Sequence, residues 1–172
     1  IPMGLQYSIT TIGSIVLQSS VNALGSLYVT AVAAGAKVVQ LLVCPFDAMG
    51  ATMATYCGQN VGGCKLDRLG QGIRACTLLG FGYAAVAFGA MLRLAPWCAM
   101  LFLDPKELDV VLLTQLTTRY IVIQSAFFFP LSLVNIVRFS IQGMGFSPFA
   151  ILAGVLEMAA RTGVGMLLVP AF

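Results

Sequence analysis

The chain has 172 residues, 59% of them hydrophobic and only 9% charged, with a mean hydropathy of +0.96. Soluble domains are about 45 to 50% apolar and roughly 25% charged, so this composition excludes one and implies an all-α integral membrane protein whose runs of about 20 apolar residues cross a bilayer as helices. The formal net charge of +3 comes without a basic run interleaved with aromatics, which argues against nucleic acid as a partner.

The first segment, residues 2–20, carries no charge and starts at Pro2, where a missing N–H costs a helix nothing. Gln6, Tyr7, Thr10, Thr11, Ser14 and Gln18 are its polar groups, and Tyr7, Thr11, Ser14 and Gln18 recur at i, i+4, i+7 and i+11, on one helical face. In hydrocarbon such a stripe has no partners, so it is expected to face protein or a water-filled cavity. Interhelical hydrogen bonding and cleft lining both satisfy it.

Asn22, Gly25 and Ser26 mark a turn, and 27–61 is a second segment, longer than one straight crossing needs. Pro45 sits in its middle and predicts a kink. Lys37 is expected to snorkel to the outer interface. Gln40, Cys44, Asp47, Ala51 and Gly58 share a face, and Asp47 is the exception to an otherwise neutral run, with no base at i+3 or i+4. A charge at the bilayer centre costs about 2.5 to 3.5 kcal/mol on insertion scales, so it pairs or faces water. Asp47 is therefore the ion-coupling candidate, able to bind and release a proton or a cation, with a cross-helix pair to Arg138 or Arg161 as the alternative role.

Residues 62–74 are expected to form a loop, with Lys65, Arg68 and Arg74 set against Asp67. The excess of Lys and Arg places it on the cytoplasmic side. The third segment, 75–103, is rich in Gly and Ala, which allow close helix approach, and ends near Arg93, Pro96 and Trp97, an interfacial set. The next connection, 104–109, carries three acids against Lys106 and fits the extracytoplasmic face. The fourth segment, 110–142, has Pro130 near its middle and presents Gln124, Asn135, Arg138 and Gln142 on one face. Glycines at 143 and 145 return the chain to the cytoplasm at 143–148, and the fifth segment, 149–169, holds Glu157 and Arg161 four apart, the favourable orientation for a structural ion pair. No internal repeat is evident.

Five cysteines, an odd number without CxxC spacing, read as small apolar fillers rather than a disulfide framework or zinc site. Histidine is absent, which removes the commonest general base and metal ligand. No activated nucleophile, paired aspartates or metal set is visible, so neither catalytic residues nor a cofactor are expected and the chain does not read as an enzyme. A chain that starts at Ile1-Pro2 without an initiator methionine and ends in apolar sequence reads as a fragment of a longer protein.

Pro2-Met3-Gly4-Leu5-Gln6, the run GQNVGGCKLDR at 58–68, and Gln142-Gly143-Met144-Gly145 leading to AGVLEMAAR at 153–161 together resemble the multidrug and toxic compound extrusion (MATE) transporters, in order across essentially the whole chain. The resemblance implies helices seven to eleven of twelve, a partial C-terminal lobe whose N-terminal lobe and last helix are missing. It implies a plasma or inner membrane antiporter that exports cationic or amphipathic small molecules in exchange for Na⁺ or H⁺. Gln6, Tyr7, Thr11, Ser14, Gln18, Gln40, Gln124 and Asn135 then become cleft-lining candidates. Two departures stand out. Some members place a carboxylate in the first helix of this lobe, where residues 1–20 have none, which leaves coupling to the other lobe or to Asp47; and Pro148 stands where similar sequences often have a base. A lipid-linked oligosaccharide flippase shares the architecture, but the scarcity of inward Lys and Arg argues against it. A truncated membrane fragment that moves nothing is the other alternative.

Overall fold

The computed structural model describes residues 2–23, 25–103 and 110–167; the side chains of 2–7, 10, 17, 147, 150, 151, 160, 161 and 164–167 lie outside that description. The described residues form helices and short turns, with no strand among them. The helices are α1 Pro2–Asn22, α2 Ser26–Gly62, α3 Asp67–Phe102, α4 Val110–Ala126, α5 Phe128–Gly143 and α6 Ser147–Leu167. By length and apolarity α2 and α3 each qualify as membrane spans, and α4 with α5 qualifies as a third, bent by 48°. The expected 104–109 connection and residues 168–169 lie outside the described residues.

Two expectations about these boundaries need correction. The fourth segment is not one continuous helix: it breaks at Phe127, whose N–H turns back to Gln124 at 3.1 Å instead of bonding one residue further. Pro130 is the cause, since its ring clashes with the carbonyl four residues back, at Ala126, and offers that carbonyl no N–H. The chain restarts at Phe128, which puts Pro130 in the first turn of α5, where it is tolerated.

The second correction concerns the basic loop, which spans only 63–66 because α3 begins at Asp67, not at residue 75. Asp67 complements the positive end of the helix. Leu69 and Ile73, one turn apart, pack on the Met53, Cys57 and Ile136 cluster, so burial favours helix there. Lys65, Arg68 and Arg74 remain exposed at that end, and the charge expected of a loop sits mostly on a helical turn.

How α2 stops was only partly legible. The N–H of Lys65 reaches Asn60 O at 2.8 Å and that of Cys64 reaches Val61 O at 3.1 Å. This is the Schellman closure of a helix end, and its left-handed residue is Cys64, at φ 55°, not Gly62 or Gly63. The end of α5 closes the same way: Phe146 N–H bonds Ile141 O at 3.2 Å and Gly145 N–H bonds Gln142 O at 3.0 Å, with Gly145 at φ 92°. The two turns, loosely alike in sequence, thus share one hydrogen-bond pattern.

The helices α2, α3, α4 and α5 form the bundle, and α1 packs chiefly on α6, with lighter contacts from α6 to α5 and from α1 to α2. The core is layered along α2. Ala31, Ala34, Ala99, Leu103 and Leu113 form one end. Val38, Met91, Ala95 and Ile121 follow, then Phe46, Ala84, Ala87 and Phe128, and finally Met53, Cys57 and Ile136. Small residues at helical spacing on α3 let the larger α2 and α5 side chains in. Large apolar side chains cover the outside, Leu78 at 72% and Val86 at 71% exposure, as a surface facing lipid requires.

Candidate functional site

Halfway along the bundle, two irregular points of the backbone meet. Pro45 removes one hydrogen bond from α2, and the Phe127 break interrupts the fourth span. Their neighbours Phe46 and Phe128 touch with ring centroids 5.5 Å apart, and Tyr83 of α3 completes an aromatic cluster at 5.0 Å from Phe46. The Tyr83 hydroxyl donates to Leu42 O at 3.1 Å, one turn before the cluster, and ties α3 to the α2 backbone beside Pro45. Sequence reading missed Tyr83, because a hydrogen bond across 41 residues leaves no local signal.

Directly after Phe46 comes Asp47, exposed on the outer face of α2. Its Oδ1 accepts a hydrogen bond from Asn135 Nδ2 of α5 at 3.1 Å. Asn135 is buried at 5% exposure, so the amide is held in place by packing and presents a fixed donor to the carboxylate. A bond to a charged acceptor is among the stronger ones. Among the described residues Asp47 has no salt bridge. Gln40 and Cys44 lie exposed on the same face, the Cys44 thiol donating to Gln40 O at 3.3 Å. Lys37 is exposed beyond them, beside Gln40 in a shallow hollow with Ala36, Leu41 and Phe102. The polar face of α2 therefore points away from the lobe core, toward whatever lies against it.

The other candidates divide. Thr11, Ser14 and Gln18 of α1 are exposed, with Gln18 donating to Asn22 Oδ1 at 3.2 Å. Gln6 and Tyr7 lie outside the described side chains. Since α1 packs chiefly on α6, its stripe is not gathered around Asp47. Gln124 is half-buried and donates to the Tyr120 hydroxyl at 3.2 Å, a contact within α4.

Glu157 meets Arg138 of α5: Arg138 Nη1 lies 3.3 Å from Glu157 Oε2, the two side chains 16% and 32% exposed. The side chain of Arg161, expected to pair with Glu157, lies outside the described residues. The Arg138 guanidinium also lies 5.6 Å from the Phe139 ring centre. Arg138 borders a groove of about 340 Å³ between α5 and α6, otherwise lined by apolar residues such as Leu133, Val137 and Phe149. Partial burial in an apolar setting makes loss of this contact costly, because the Arg138 guanidinium or the Glu157 carboxylate then gives up a close opposite charge. Arg138→Gln and Glu157→Gln are each expected to lower detergent stability by about 1 to 3 kcal/mol, and the double substitution by less than the sum of the singles. Additive losses in a double-mutant cycle of thermal melts would dismiss the pair.

Among the described residues no group of His, Cys, Asp and Glu is placed to hold a metal, and none of the five cysteines is in a disulfide. What the arrangement offers chemically is one carboxylate, half out of the lobe, oriented by a buried amide beside two helix interruptions. A family model described as MatE matches residues 2–166, nearly the whole chain. No curated protein and no solved structure matches it.

Proposed function

The chain belongs to the MatE family, and from that premise, which makes it a membrane transporter chain, we propose that it forms most of one lobe of a secondary antiporter exporting cationic or amphipathic compounds against Na⁺ or H⁺. The observation that carries this is the Asp47 carboxylate, exposed at mid-lobe and hydrogen-bonded to Asn135. Interrupted helices near the middle of a membrane protein commonly hold the coupling ion, because the interrupted backbone and its neighbours can replace the ion's water. A single carboxylate on such a face binds either the coupling ion or an organic cation, and that competition is what antiport requires. The amide of Asn135 keeps the carboxylate aimed outward in both cases, while Gln40 adds a neutral polar group two turns away on the same exposed face. The polar stripes of α1 and α2 are exposed in this lobe and become the wall of a cleft once a second lobe packs against them.

On this reading the basic turn at 63–66 and the turn at 144–146 face the cytoplasm, and the membrane is the plasma or inner membrane. The test is efflux of a fluorescent organic cation from cells carrying the full-length protein, with an inward Na⁺ or H⁺ gradient imposed separately. Efflux driven by one gradient and halted when that gradient is collapsed is the expected result. Efflux that continues with both gradients collapsed would end the antiport reading.

A further inference from the structure

A third pocket has no part in the site described above. It lies between α3 and α4, holds about 430 Å³, and is lined by Pro96, Thr114, Gln115, Thr118 and Arg119. In contrast to the apolar groove beside Arg138, four of these five residues are polar or charged, and none is an acid. Arg119 and Gln115 are exposed, and among the described residues Arg119 has no salt bridge. The Thr118 hydroxyl oxygen is buried without a hydrogen-bond partner, whereas that of Thr114 already donates to Val110 O at 2.7 Å. A buried hydroxyl left unmatched inside an apolar bundle is costly, and a ligand oxygen would relieve it.

The depth of the pocket follows from the core layers. Ile121 shares a layer with Ala95 and Met91, and Leu113 shares the next one with Ala99 and Leu103. Residues 114–119 therefore lie level with 95–99 of α3, and Trp97, 75% exposed, stands at that height. An exposed indole on a spanning helix marks the headgroup region. The Gln115 amide and the Arg119 guanidinium thus open sideways at the depth where phosphodiesters lie, with the Thr118 hydroxyl buried at the pocket wall between them.

We propose that this pocket is a binding site for the phosphodiester of an anionic phospholipid, with Arg119 as the cation and the Thr118 hydroxyl and Gln115 amide as donors to its free oxygens. Arg119 is the one charge among the described lining residues, and it favours a lipid of net negative charge over a zwitterionic one. The assignment depends only on the chain spanning a membrane and not on what it transports.

The test uses the full chain in bilayer discs of phosphatidylcholine containing a minor share of phosphatidylglycerol, followed by counting of the lipids retained on detergent extraction by native mass spectrometry. Wild type is expected to enrich phosphatidylglycerol, and Arg119→Gln to lose that enrichment by about fivefold, the worth of one basic group at an anionic surface. Thr118→Val, which removes only a hydroxyl, is expected to weaken it as well. Arg93→Gln, an exposed arginine of α3 outside the pocket, is expected to leave it unchanged. Equal loss in Arg93→Gln, or full retention in Thr118→Val or in a folded Arg119→Gln, overturns the proposal. So does inorganic phosphate, without lipid, raising the melting temperature of wild type and not of Arg119→Gln, because the site would then take a free anion.

Discussion

Asp47→Asn in the full-length protein is expected to abolish ion-driven efflux while expression and melting temperature stay near wild type. The reason lies in where the carboxylate stands. Asp47 is exposed and forms no salt bridge among the described residues, so neutralising it strands no buried cation. An asparagine oxygen still accepts from Asn135 Nδ2, now 3.1 Å from the carboxylate, and the positioning contact survives. What disappears is the charge, the property that binds a cation or a proton. Asn135→Leu is the companion variant: it keeps the bulk of a buried side chain and removes the donor that orients Asp47, and it is expected to weaken coupling without abolishing it. Unchanged ion-driven efflux in Asp47→Asn would remove Asp47 from the mechanism, whatever Asn135→Leu does.

The largest loss of stability is expected at Gly143, where α5 meets α2 backbone to backbone. A Cβ placed there would lie 2.7 Å from the Cα and carbonyl carbon of Ala54 and closer still to its carbonyl oxygen. These are main-chain atoms of a long helix and cannot swing aside as a side chain tip would. Across the same contact, a Cβ on Gly58 would lie 3.1 Å from Gly143 O. Gly143→Ala therefore has to push the two helices apart, at about 1 to 3 kcal/mol for overpacking of this kind, and Gly143→Val by more. Gly82→Ala is the matched control, because a Cβ there meets nothing within 4 Å, and a helix interior gains roughly 0.5 to 1 kcal/mol from alanine over glycine. Thermal melts in detergent decide it: Gly143→Ala melting with wild type would show that α2 and α5 are not in this contact. Transport is expected to fall as well, since Asn135 rides on the same helix two turns away.

The residues that escaped local reading share one property. The bond from Asn135 to Asp47 spans 88 positions, and that from Arg138 to Glu157 spans 19. Each partner drew attention alone, as a polar group in an apolar run, but helical spacing reports only which residues share a face. It therefore pointed from Glu157 to Arg161 at i+4, whose side chain lies outside the described residues, and gave no sign of Arg138 on another helix. The polar stripe of α1 was legible for the same reason, and so was the face containing Gln40, Cys44 and Asp47, all three exposed as one face should be. The helix break at Phe127 was not foreseen, although Pro130 was noted near the middle of the segment, because the proline ring acts on a carbonyl four residues back. The start of α3 was misplaced because polar and basic residues at 65–74 read as loop, while Leu69 and Ile73 were already completing the core of α2 and α5.

By itself the sequence determined that this is a helical membrane protein, where its apolar segments lie apart from the start of α3 and the break at Phe127, which groups are too polar to face lipid, and the family to which it belongs. Those follow from composition, from the 3.6-residue period and from the order of short motifs, all of which are carried by neighbours along the chain. Tertiary structure alone decided that Asp47 is held by Asn135 and not by an arginine, that Phe46, Tyr83 and Phe128 brace the two interrupted helices, and that Arg119 shares a pocket with Pro96. Each of those requires two helices to be brought within about 3 to 6 Å, and that distance depends on how small residues such as Gly80, Ala84 and Gly143 let the backbones approach.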